Sequence, residues 1–173
     1  AILDTLAQAI EAQRALGRKT VLLGHSTGGS LCLAEIARRA AANPASLQDL
    51  LLLVLCATPP RIDAGYVTRW EAHTAGGGPP LEDVAALVAL VNRIARRRPP
   101  ISCPVLIVQG DMDGLVPAAE VAQWRDGRLA APVRCVRVAG AGHGLFRDAG
   151  ADLAIDAIGR AIDDALQRAE PTE

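Results

Sequence analysis

"VLLGHSTGGSLCLAEIARRA", residues 21–40, is the stretch whose reading decides the fold. An apolar run, Val21 to Leu23, reaches Gly24. Ser26 then stands alone between Gly24 and Gly28, and apolar residues next recur at helical spacing. A strand turns into a helix within a few residues, with Ser26 at the junction. In the plainer reading Ser26 caps that helix. In the other, a tight turn lifts its hydroxyl clear of the backbone, at a cost on the order of 1–3 kcal/mol in strained dihedrals. Such a turn brings positions 24 and 28 together, so Gly24 and Gly28 are expected to remove β-carbons that would collide. Gly29 is expected to let the helix pack close to the strand. Backbone N–H groups at the helix start, that of Thr27 first, would lie beside the hydroxyl, ready for a developing oxyanion.

The rest of the chain tests this reading. Leu3, Leu6 and Ile10 predict a helix over residues 2–16, with Gly17 as its stop. "LQDLLLLVLCATPP" (47–60) is a continuous apolar run, as suits a strand covered on both faces. Residues 59–80 read as irregular, rich in Pro and Gly, and 83–96 as a helix. "CPVLIVQGD" (103–111) is a second buried strand, 118–129 a short helix, and "PVRCVRVAG" (132–140) an edge strand near solvent. Ile155, Ile158, Ile162 and Leu166 predict a closing amphipathic helix over 151–167. Helices alternating with strands predict a parallel sheet with helices on both faces. The expected organisation is one α/β domain, 1–173, with a lid-like insertion at 59–100.

Composition excludes several classes. A formal net charge of −1 leaves no electrostatic footprint for nucleic acid or an anionic membrane. No apolar run reaches membrane-spanning length, and no signal peptide is visible. The four cysteines, at 32, 56, 103 and 135, form no C-x-x-C pair. They read as small buried hydrophobes in a reducing, cytoplasmic setting, with no metal site.

Ligands of a parallel α/β sheet sit beyond the carboxyl ends of its strands. Those ends here are "GHSTGG", Thr58-Pro59, "GDMDGLVP" and "GAGHG". They place Ser26, two aspartates (Asp111 and Asp113) and His143 at one edge. A protonated serine hydroxyl is a poor nucleophile and needs an adjacent base, which His143 would supply. His25 is assigned to packing, turned away by strand alternation, and His73 to an exposed position in the insertion.

The G-x-S-x-G pattern at 24–28 is a nucleophile elbow. With it the chain resembles the α/β-hydrolase family, whose triad order of Ser, Asp, His is matched by Ser26, Asp113 and His143. "PVLIVQGDMDGLVP" is similar to the family's acid-bearing strand and turn, which favours Asp113 over its rival Asp111. "GAGHGLF" is similar to the histidine loop. The mixture looks most like the carboxylesterase and monoacylglycerol-lipase branch. The resemblance implies a serine hydrolase that cleaves a small carboxylic ester through an acyl-enzyme, with the Thr27 N–H as one oxyanion donor and no cofactor. Thioesterase, amidase and acyltransferase chemistry stay open, because one triad serves all acyl transfers.

The resemblance covers the family's C-terminal portion. The chain opens inside a helix without Met, and family members carry further strands before that point. The expectation is therefore a sheet lacking the usual N-terminal strands, with the 20–24 strand leaving an apolar edge unpaired. On the competing reading the chain is a catalytically incomplete fragment or half of an assembly, completed by a homodimer or by a missing N-terminal segment.

Overall fold

The computed structural model describes residues 2–74, 81–97, 101–124 and 131–169. In chain order the elements are α1 (Ile2–Ala15), β1 (Thr20–His25), α2 (Thr27–Ala42), β2 (Leu50–Cys56), α3 (Tyr66–Thr74), α4 (Leu81–Arg97), β3 (Val105–Gly110), α5 (Ala118–Val121), β4 (Val133–Val138) and α6 (Ala151–Ala169). Short 3₁₀ turns lie at Pro44–Leu47 and Ala122–Trp124. The strands form one sheet in the order β1-β2-β3-β4, and all three pairings are parallel. The fold class is the one the alternation predicts.

Strand alternation builds two cores. Leu53 and Leu55 of β2, with Val105 and Ile107 of β3, face α2, α4 and α5. Leu52, Val54 and Cys56, with Leu106 and Val108, face α6. The continuous apolar run of β2 follows from that double cover, and burying one such leucine contributes about 1.5–3 kcal/mol. β4 lies at one end of the sheet with its residues part-buried or exposed except Val138. β1 lies at the other end, where Leu23 is 46% exposed.

Two expectations about helices are corrected. The 59–80 segment is not irregular throughout, because Tyr66–Thr74 form a helix. Its anchor is Tyr66, which is buried and stacks on Trp70 one turn later. In α6 the buried face is Ala154, Ala157, Ile158, Ala161 and Ala165, whereas Ile155 and Leu166 are exposed. Alanines let the helix axis approach the sheet, so side-chain size rather than hydrophobicity alone chose the face.

The part of the 118–129 helix beyond Trp124 lies outside the described residues. Asn43 ends α2 and donates its N–H to Arg39, as the Asn-Pro signal predicts. Gly17 adopts φ +66° after α1, as a helix stop does. No described helix is long and apolar enough to cross a membrane.

Candidate active site

The turn after β1 sets the site. Ser26 has φ 52° and ψ −121°, outside the regions that L-residues ordinarily occupy. Its N–H still pairs with the Cys56 carbonyl of β2 at 2.7 Å, so the β1–β2 ladder runs up to the strained residue. The side chain makes no capping hydrogen bond to α2. It points at His143 instead, and the plainer capping reading fails. Ser26 remains half-buried, so an incoming group can reach its hydroxyl.

Gly24 behaves as expected. A β-carbon there would lie 2.4 Å from Gly29 N and 2.5 Å from Gly28 C, both immovable backbone. The expectation for Gly28 is wrong, since a β-carbon there meets nothing within 4 Å. The second close approach is at Gly29, where a β-carbon would lie 2.0 Å from Thr58 Oγ1 at the end of β2. Thr58 is itself fixed by donating to the Cys56 carbonyl and by accepting from Trp124 Nε1 at its own carbonyl. The helix start is thus wedged between the ends of β1 and β2.

The loop after β4 brings in the imidazole. Met112 donates its N–H to Ala141, and Gly142 donates to the Asp148 carboxylate at 2.8 Å. His143 Nδ1 lies 3.0 Å from Asp113 Oδ2, and Nε2 lies 2.9 Å from Ser26 Oγ. A carboxylate can only accept, so Nδ1 carries the proton, and Nε2 accepts from the serine hydroxyl. Three side chains from the ends of β1, β3 and β4 therefore form one connected chain of hydrogen bonds.

Asp113 has every acceptor position used. Oδ1 takes the N–H groups of Leu115 at 2.9 Å and Val116 at 2.8 Å, and Oδ2 takes Gln109 Nε2 at 2.9 Å as well as His143. Burial pushes the carboxyl up, but the donated hydrogen bonds and the charge His143 can carry outweigh it. Asp113 is held below the ordinary aspartate range. Asp111, the rival acid, does not reach the imidazole. It accepts the Gly140 N–H at 2.7 Å and pins the start of the histidine loop.

His25 is corrected too. Its alternation carries it to the α6 face, but that is the face to which the histidine loop returns. His25 Nε2 donates to the His143 carbonyl at 2.8 Å, and the two rings lie 5.2 Å apart. His73 is exposed as expected, yet it belongs to α3, and its ring meets the His143 ring edge-on at 5.4 Å. Both contacts needed the tertiary path of the loop and had no sequence signal. Thr27 opens α2, so its N–H has no carbonyl one turn earlier to bond and lies next to the strained serine.

Burial pushes the thiols of Cys32 and Cys103 up to about 11 and that of Cys56 to about 12, so these cysteines stay protonated and unreactive. Cys135, on β4, is only part-buried. Among the described residues no cluster of His, Cys, Asp or Glu could hold a metal ion.

A parallel sheet covered on both faces, with a serine on a strained strand-to-helix turn, defines the α/β-hydrolase fold, and the chain has that fold. No protein-family model matches the sequence, and no curated protein does. Solved structures do. The monoacylglycerol lipase of Paleococcus ferrophilus aligns with a TM-score of 0.64 at 15% identity, over 94% of this chain and 74% of its own. The type II thioesterase BorB from the borrelidin biosynthetic cluster aligns at 0.57 and 24% identity, over 95% and 70%. Human thioesterase 2 aligns at 0.64 and 14%, over 91% and 80%.

Proposed function

We propose that the chain is a serine hydrolase acting on carboxylic esters or thioesters. The observation that carries this is the continuous hydrogen-bonded path from Ser26 Oγ through His143 to Asp113, at 2.9 and 3.0 Å. Ser26 attacks the acyl carbon while His143 Nε2 takes its proton, and Asp113 stabilises the imidazolium that results. The negative charge that grows on the carbonyl oxygen is met by the Thr27 N–H at the start of α2. His143 returns its proton to the leaving alcohol or thiol, then activates a water that releases the acyl group. The names of similar structures, a monoacylglycerol lipase and two thioesterases, lend support to both leaving groups.

The test is turnover of p-nitrophenyl butyrate alongside a butyryl thioester of N-acetylcysteamine. Saturable release of nitrophenol or thiol is expected. Rates equal to buffer on both substrates would contradict the proposal and favour the reading in which the chain is catalytically incomplete on its own.

The two aspartates give a sharper check. Asp113→Asn removes the charge and favours the wrong imidazole tautomer, so kcat is expected to fall about 10²–10⁴-fold. Asp111→Ala removes only the anchor of Gly140, and kcat is expected to stay within about threefold of wild type. Similar losses in both variants would reopen the choice of acid.

A further inference from the structure

We propose that Gln109 is a positioning residue for the Asp113–His143 pair, fixing the acid-bearing turn through one amide that shares the carboxylate oxygen met by the imidazole. The inference rests on the serine-hydrolase reading and adds to it a residue outside the triad.

The sequence of β3, VLIVQG, is buried at all six positions, and Gln109 is 2% exposed. An amide in an otherwise apolar strand is costly to bury. Its Oε1 is buried with no hydrogen-bond partner among the described residues, which costs about 1–3 kcal/mol. A leucine or methionine would fill the same space without that penalty. The compensation is all on the nitrogen. Nε2 lies 2.9 Å from Asp113 Oδ2 and 2.9 Å from the Val116 carbonyl, with the Gly110 carbonyl further off at 3.3 Å. An amide nitrogen has two hydrogens, and the two shorter contacts take them.

Those two contacts tie the acid to the last residue of its own turn. Asp113 Oδ1 already closes that turn through Leu115 and Val116 N–H. Gln109 locks it from the strand side, so the carboxylate cannot swing away when His143 moves. The amide also draws on the charge of Oδ2, the atom that holds the Nδ1–H. An amide that leaves Oε1 unpaired while Nε2 meets both the acid and the end of its turn is explained by that placement rather than by apolar packing.

Other titratable groups face the pair: Tyr66 and His73 from α3, His25 from β1 and Asp148 from the turn after His143. Arg69 of α3 donates to the Leu115 carbonyl at 3.2 Å. None of them donates to Oδ2, which receives only Gln109 and His143 among the described residues.

The test is Gln109→Met, which keeps the shape and removes both polar atoms, with Gln109→Asn, whose shorter amide falls out of reach of Oδ2. Gln109→Met removes the orphaned Oε1 but leaves the Val116 carbonyl and the charged Asp113 Oδ2 each short of a buried donor, so its melting temperature is expected to fall, and kcat is read per folded molecule. On p-nitrophenyl butyrate both variants are expected to lose about tenfold in kcat, as for one charge-assisted hydrogen bond, with KM within about twofold. With one donor lost, more of the Oδ2 charge falls on the Nδ1–H that it holds, so the acid limb of kcat/KM moves upward in pH. A purely structural role would lower kcat evenly without moving the limb.

The NMR shift of the His143 Nδ1 proton gives a readout that needs no turnover, and it is expected to change in both variants, because that proton is held on the same Oδ2. An unmoved limb and an unmoved Nδ1 proton shift, with kcat unchanged per folded molecule, would overturn the proposal. Ser26→Ala in the same series separates the two ideas. If it retains turnover, the serine-hydrolase reading falls. If it is inactive while Gln109→Met matches wild type, only the role of Gln109 falls.

Discussion

Replacing Ser26 by alanine is expected to lower kcat/KM on p-nitrophenyl butyrate by at least about 10⁴-fold, the scale on which serine triads fail when the nucleophile is removed. The fold should survive, because among the described residues the Ser26 side chain bonds only to His143, and it does not cap α2. Ser26→Gly is expected to be as inactive as the alanine variant but to melt at or above wild type. Glycine adopts φ 52° without strain, and that relief is worth on the order of 1 kcal/mol after its extra chain entropy is counted. A gain in stability from a change that destroys turnover would show that the strained turn is kept for chemistry. If Ser26→Gly instead lost stability heavily, the strain argument would be wrong.

The second large effect is structural. Gly24→Ala is expected to cost more than about 4 kcal/mol, through a β-carbon driven into the backbone of Gly28 and Gly29 at 2.4–2.5 Å. No side-chain rotation relieves a clash with backbone, so β1 and α2 must part. Gly28→Ala, two residues past the serine, is expected to be neutral or slightly stabilising, since its β-carbon meets open space and alanine suits a helix. Urea denaturation of both variants gives the comparison. Equal losses would mean that β1 and α2 press on both glycines alike.

That pair of glycines also marks how far the sequence reaches. The G-x-S-x-G spacing announced the turn, but which glycine faces backbone depends on the rise of α2 against β2. The steric demand passed from Gly28 to Gly29 because Thr58 lies there. β2 and β3 were legible because double burial leaves continuous apolar runs, as in LLLLVLC, and β4 by its alternation at the sheet edge. On α6 hydrophobic spacing ranks Ile155 above Ala154, while close helix-to-sheet packing rewards the smaller residue, so the buried face differs from the one the spacing predicts.

Helix α3 was hidden by the Gly- and Pro-rich residues that follow it. Ser26, Asp113 and His143 were legible because each ends or follows a strand in a recognisable pattern. Their neighbours were less so. Gln109 carries a signal of its own, as a lone polar residue one step before the end of an apolar strand. His25 and His73 gave none, because only the folded path of the 139–150 loop brings His143 between them.

The central claim is that Ser26 is made nucleophilic by its contact with His143. It is tested most directly by treating the protein with a fluorophosphonate and locating the adduct by peptide mass spectrometry. A single adduct on Ser26 in the wild type, absent in Ser26→Ala and slowed at least about 10²-fold in His143→Ala, is the expected result. Labelling elsewhere, or labelling of Ser26 at the same rate without His143, would contradict it.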